Sequence, residues 1–181
     1  MISIISATNR NLSLTRCVSE TYLQMLEQEG IITSFFSLES VPGEFLNDGM
    51  YRKPDHGLRD FGHEIFKSAD NFVLVMPEYN GSFPGVLKLV IDACNPDVFK
   101  GKRFALVGVA SGRAGNLRGM DHMTDILHYL KAEVYSQKIP ISQIRNLVDD
   151  SYKINHQPTL DALHNHKNGF VEFIGHFSNV R

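Results

Sequence analysis

The chain is short of cysteine, of net charge and of long apolar runs, and each shortage closes off a class of function. Only Cys17 and Cys94 carry thiols among 181 residues, too few and too far apart for a disulfide framework or a thiolate metal site. Both fall in helical patterns among apolar neighbours and are read as packing residues. The eight histidines are scattered. His164 and His166, two apart in a helical pattern, face different ways and make poor co-ligands. A formal charge of −2 lacks the basic face that nucleic-acid phosphates require. No apolar run approaches the roughly 20 residues of a membrane helix. Met1-Ile2-Ser3-Ile4-Ile5 enters a strand pattern directly, without a leader-like segment. The expectation is a cytoplasmic protein that binds neither nucleic acid nor membrane. Triphosphate loops of the GxxxxGK[ST] type, GxGxxG turns, Ser-His-Asp or Cys-His arrangements and paired carboxylates are missing too.

What the chain does contain is a regular alternation. Five apolar, β-branched runs recur at Met1–Ile5, Ile31–Ser37, Asn71–Met76, Arg103–Ala110 and Ala132–Tyr135. Between them, apolar residues take helical spacing: Leu14, Val18, Tyr22, Met25 and Leu26; Leu58, Phe61, Ile65 and Phe66; Leu117, Met120, Met123, Leu127 and Leu130. Leu160, Leu163, Phe170, Phe173, Ile174 and Phe177 suit a C-terminal helix covering the sheet. Such alternation predicts right-handed crossovers and an α/β three-layer sandwich, a five-stranded parallel sheet with helices on both faces. A phosphate-type loop after the first strand favours the order 2-1-3-4-5. One domain spans residues 1–181. Its least patterned part, Val41 to Asp55, reads as either a lid over the ligand mouth or a solvated connector.

Two loops at strand ends carry chemistry. After the first strand, Ser6-Ala7-Thr8-Asn9-Arg10-Asn11-Leu12-Ser13-Leu14-Thr15 sets hydroxyls and an arginine just before a helix. Ser13 is a natural N-cap, and the helix start offers unpaired amides with positive partial charge. Arg10 adds a charged fork suited to phosphate oxygens. A monophosphate suits this loop better than a triphosphate. After the third strand comes Met76-Pro77-Glu78-Tyr79-Asn80-Gly81-Ser82-Phe83-Pro84-Gly85, a polar turn where open α/β sheets place their ligands.

This second stretch resembles the PEYNGS-x-PG-x-LK motif of the NADPH-dependent FMN reductases, a flavodoxin-like family. The first loop is similar to that family's GS-x-R-x-x-S-x-N, with Ala7 in place of glycine and Thr8 in place of serine. The resemblance implies bound FMN, with Thr8, Arg10, Ser13, Leu14 and Thr15 at the phosphate. Pro77, Glu78, Tyr79, Asn80, Gly81 and Ser82 would then wall the isoalloxazine ring. A third loop, Ser111 to Gly119, is implied to contact the flavin through Ser111, Gly112 and Gly115, with Asn116-Leu117 where relatives often carry a glycine pair. Arg113 and Arg118 are candidates for the phosphate of a nicotinamide cofactor.

The activity implied is oxidation of NADPH or NADH by way of FMN, with electrons passing to a flavin, quinone, azo compound or metal ion. No side chain is put forward as catalytic, because the flavin carries such chemistry. Glu78 and Asp92 are read as structural acids. The alternative is a flavodoxin-like FMN-binding redox sensor or partner-docking module. Val86-Leu87-Lys88-Leu89-Val90-Ile91-Asp92 is apolar nearly all round and needs cover on its outer side. A homodimer, or a pair of dimers, is therefore expected.

Overall fold

The computed structural model describes residues 1–41 and 57–178; the segment read as lid or connector lies outside these, Val41 excepted. The strands are β1 (Ile2–Ser6), β2 (Thr33–Ser37), β3 (Asn71–Pro77), β4 (Arg103–Val109), β5 (Glu133–Val134) and β6 (Ile139–Ile141). The helices are α1 (Leu14–Glu27), α2 (Gly57–Lys67), α3 (Gly85–Ala93), α4 (Leu117–Tyr129) and α5 (Gln157–Ser178). All strand pairs are parallel, in the order β2-β1-β3-β4-β5. The expected order is observed, with one addition. β5 pairs only with Arg103 and Phe104, and β6 takes over opposite Val107–Val109. The fifth position is thus filled by two short strands in line.

Alternation along the strands builds two cores. Ile2, Ile4, Val73, Val75, Ala105 and Val107 face α1 and α5, meeting Val18, Tyr22, Leu163 and Phe170. Ile5, Phe72, Leu74, Phe104 and Leu106 face α2, α3 and α4, meeting Ile65, Phe66, Leu87, Val90 and Met123. A strand buried on both faces reads as a continuous apolar run, which is why these were legible as parallel strands. Cys17 and Cys94 lie in these two cores. Burial pushes the Cys94 thiol up to about 12 and raises Cys17 as well, so both stay protonated packing groups.

The C-terminal helix is pinned by a buried polar chain. The His166 ring lies with Nε2 3.0 Å from the Gln137 carbonyl and Nδ1 3.0 Å from the Tyr22 hydroxyl. A carbonyl only accepts, so Nε2 carries the proton and Nδ1 accepts from Tyr22. Next to it, the fully buried Lys167 pairs with Glu29 at the end of α1. Among the described residues, no helix is long and apolar enough to cross a membrane.

Candidate active site

The loops that leave the carboxyl ends of β1, β3 and β4 converge on one cavity of about 620 Å³. One end is the loop before α1. Ser13 caps that helix through Oγ, which accepts from the Arg16 amide at 3.2 Å. The helical ladder starts with the Arg16 and Cys17 amides on the Ser13 carbonyl. The Leu14 and Thr15 amides precede it and have no acceptor among the described residues. They line the cavity together with Arg10, whose guanidinium makes no ion pair among the described residues. Free amides, a helix N-terminus and an unpaired guanidinium form a donor set fitted to a phosphate monoester.

Thr8 plays a different part from the one its motif position suggests. It is fully buried, its Oγ1 accepts from the Arg10 amide at 3.2 Å, and it lies 2.9 Å from the Tyr79 hydroxyl. It therefore ties the first loop to the second. Ala7 is also buried and is not among the left-handed residues. The position needs no glycine, and the alanine methyl joins the core under the sheet.

The other end is built on the β3 turn. Pro77, Glu78 and Tyr79 line the cavity. The Glu78 amide donates to Val109 at 2.8 Å, tying this turn to β4. Tyr79 and Ser82 exchange backbone hydrogen bonds of 2.8 and 3.1 Å around Asn80 (φ 51°) and Gly81 (φ 77°). Two consecutive positive φ values make this a type I′ turn, for which Asn-Gly is the preferred pair. Asn80, Gly81 and Ser82 stand at its tip, outside the cavity lining, and the Ser82 hydroxyl rests 3.0 Å from His122 Nδ1 on α4.

Of the third loop, Ser111 lines the cavity with Val109 and Ala110. Gly112 donates no side chain and holds the far wall instead, its carbonyl accepting from the Gln143 amide at 2.9 Å. Gly115 (φ 57°) packs against β6: a Cβ there would stand 2.6 Å from the Pro140 Cβ. Arg113 and Arg118 lie outside the lining. Asp92 forms a surface pair with Lys88 at 2.7 Å on α3, away from the cavity.

A whole wall escaped the sequence reading. Ile144, Arg145, Val148, Asp149, Asp150 and Tyr152 follow β6 and line the same cavity as the β3 turn. Asp149 Oδ1 accepts from the Ser151 and Lys153 amides at 2.9 and 3.0 Å, and the Cys17 thiol donates to the Tyr152 carbonyl. The only sequence signal there was Asp149-Asp150-Ser151, a run of turn formers. No cluster of metal-ligating side chains occurs among the described residues.

A parallel sheet in this order, with helices on both faces, is a flavodoxin-like fold. The chain belongs to the NADPH-dependent FMN reductase family, whose sequence model matches residues 1–145. It is 34% identical over 111 residues to an NAD(P)H-dependent FMN reductase of Pseudomonas aeruginosa, covering 55% of this chain and 60% of that one. It is 36% identical over 116 residues to a quinone reductase of Escherichia coli, covering 61% and 62%. The chain thus aligns with 60% and 62% of the length of these two relatives. In fold it is similar to the NAD(P)H:acceptor oxidoreductase FerB of Paracoccus denitrificans, with a TM-score of 0.76, 20% identity and 96% of both chains covered.

Proposed function

We propose that residues 1–181 form one FMN-binding domain that oxidises NADPH or NADH and reduces a small-molecule acceptor, of which a quinone is the best supported. The observation that carries this reading is the pairing of two ends in one cavity. Arg10 and the open amides of Leu14 and Thr15 suit the phosphate, and the Pro77–Tyr79 turn gives a flat wall for the ring. Held by Arg10, the Leu14 and Thr15 amides and the Pro77–Tyr79 turn, FMN would supply the redox chemistry between reduced nicotinamide and acceptor. The protein holds and orients. Arg10 and the helix start neutralise the phosphate, and the Glu78–Tyr79 segment and the 144–152 wall line the slot. A quinone-reductase relative and an FMN-reductase relative both point to acceptors small enough to share such a slot. A cytoplasmic location, with its supply of reduced nicotinamide, goes with this reading.

The test is protein loaded with FMN and mixed with NADPH or NADH and a benzoquinone. Quinone-dependent nicotinamide oxidation is the expected result. Stoichiometric FMN binding with no turnover on quinones, azo dyes, free flavin or metal ions would instead select the sensor or docking reading.

The same proposal includes a homodimer. α3 and α4 leave a groove of about 410 Å³ lined by Ile91, Ile126, Leu130 and Tyr129, a residue 85% exposed, together with Lys88, Asp92 and Asp125. An apolar groove beside so exposed an aromatic calls for cover. Light scattering at micromolar concentration is expected to give twice the 20.4 kDa chain mass; a monomer would refute the dimer.

A further inference from the structure

Asn116 occupies a position that the sequence marks only as a missing glycine, and its surroundings are built around it. It is fully buried at the start of α4, in the left-handed region at φ 65°. An asparagine at a helix start ordinarily turns its side chain onto the first-turn amides. Asn116 makes no such cap. Its Nδ2 instead donates to two carbonyls, Met76 and Pro77, each at 3.0 Å. Two acceptors need two protons, so the amide nitrogen has to face β3. Glycines on both sides make the room. A Cβ on Gly108 of β4 would stand 3.0 Å from the Asn116 Cβ, and one on Gly119 would stand 2.1 Å from Asn116 Oδ1. That oxygen has no hydrogen-bond partner among the described residues, so the contact is made at some cost and for the sake of the nitrogen.

We propose that Asn116 is a positioning residue for the ring end of the site. Its carboxamide grips the last two carbonyls of β3 and sets where the Pro77–Ser82 turn stands over the cavity. This rests on the flavin reading above, because the ring end is defined by that reading. Left-handed backbone alone would be served better by glycine; the side chain is what asparagine adds.

The experiment compares wild type with Asn116→Gly, which keeps the backbone conformation and removes the grip. In the protein without flavin, hydrogen exchange at the Glu78, Tyr79 and Ser82 amides is expected to quicken about tenfold, the scale of losing two net-modest hydrogen bonds. Exchange at Arg16 and Cys17 in α1 should not change. Affinity for riboflavin and for FMN should fall by the same factor, again about tenfold, since the phosphate end is untouched. Asn116→Asp, which fills the same space and tolerates φ 65° but turns a carboxylate on two carbonyls, should show the same pattern if the glycine variant fails to fold. Unchanged turn exchange together with unchanged riboflavin affinity, in either folded variant, would overturn the proposal. Failure of the wild type to bind any flavin would strike the flavin reading alone, because the exchange comparison is made without flavin.

Discussion

Arg10→Ala is expected to weaken FMN binding by roughly ten- to a hundredfold, the range of losing a charge-assisted hydrogen bond of about 1.5–3 kcal/mol. The residue is exposed, lines the cavity beside the open Leu14 and Thr15 amides, and has no carboxylate partner among the described residues to release. None of the described residues leans on the guanidinium, so the melting temperature of the flavin-free protein should stay within about a degree, as for ordinary surface substitutions. Riboflavin, which lacks the phosphate, should bind the variant and the wild type equally. Added salt should narrow the gap for FMN, since an exposed charge pair is screened. Fluorescence titration of both flavins measures all of this. Equal FMN affinity in variant and wild type would remove Arg10 from the phosphate site.

The second large effect is on stability in acid and comes from His166. Burial holds its imidazole down to about 4, against an ordinary value of 6.5. Between those values the unfolded chain takes up a proton that the native ring refuses. The native state keeps its full margin above pH 6.5 and loses it progressively as the pH falls toward 4. The loss is on the order of 3 kcal/mol for a shift of this size, a large part of a typical domain's stability. Protonation would also force Nδ1 to donate, breaking its acceptance from Tyr22. Urea unfolding from pH 7 to pH 4 should show this fall in the wild type. His166→Gln, which cannot titrate, should show a shallower one by about that amount. Parallel profiles for the two proteins would rule out the histidine as the acid-labile element.

Much of the fold was legible because burial on both faces writes itself as near-continuous apolar runs, which became β1, β3 and β4; β2, half-buried along its whole length, was found from its two phenylalanines between hydroxyl residues. The fifth run, Ala132–Tyr135, became the short β5, but its continuation β6 was missed, because Ile139-Pro140-Ile141 is a three-residue strand with proline at its centre, a pattern that argues against a strand. Missing β6 meant missing the 144–152 wall that hangs from it. At the site, motif position located the two main loops but could not tell pocket from scaffold. Thr8 and Gly115 sit at motif positions yet serve loop-to-loop and loop-to-strand packing. Ala7 looked like a loss and costs no strain, since φ there is not left-handed. Asn116 looked like a loss as well and is a gain of two hydrogen bonds. Backbone angle and side-chain direction decide such cases, and neither is spelled out by residue type.

The site meets the core beneath it at only a few positions, among them Val109 and Ile144. The residues lining the cavity belong to loops, strand ends, the first turn of α1 or the short 3-10 turn at Ile144–Asn146, and five of them, Thr15, Pro77, Val109, Ala110 and Ile144, are buried. The weight of the fold rests on Phe66, Phe72, Phe99 and Phe104 and their counterparts beneath the other face. Within the 144–152 wall, exposed Arg145 and Asp150 are therefore the positions the fold can change most freely, whereas Ile144 belongs to the core and Leu147 and Val148 pack against it.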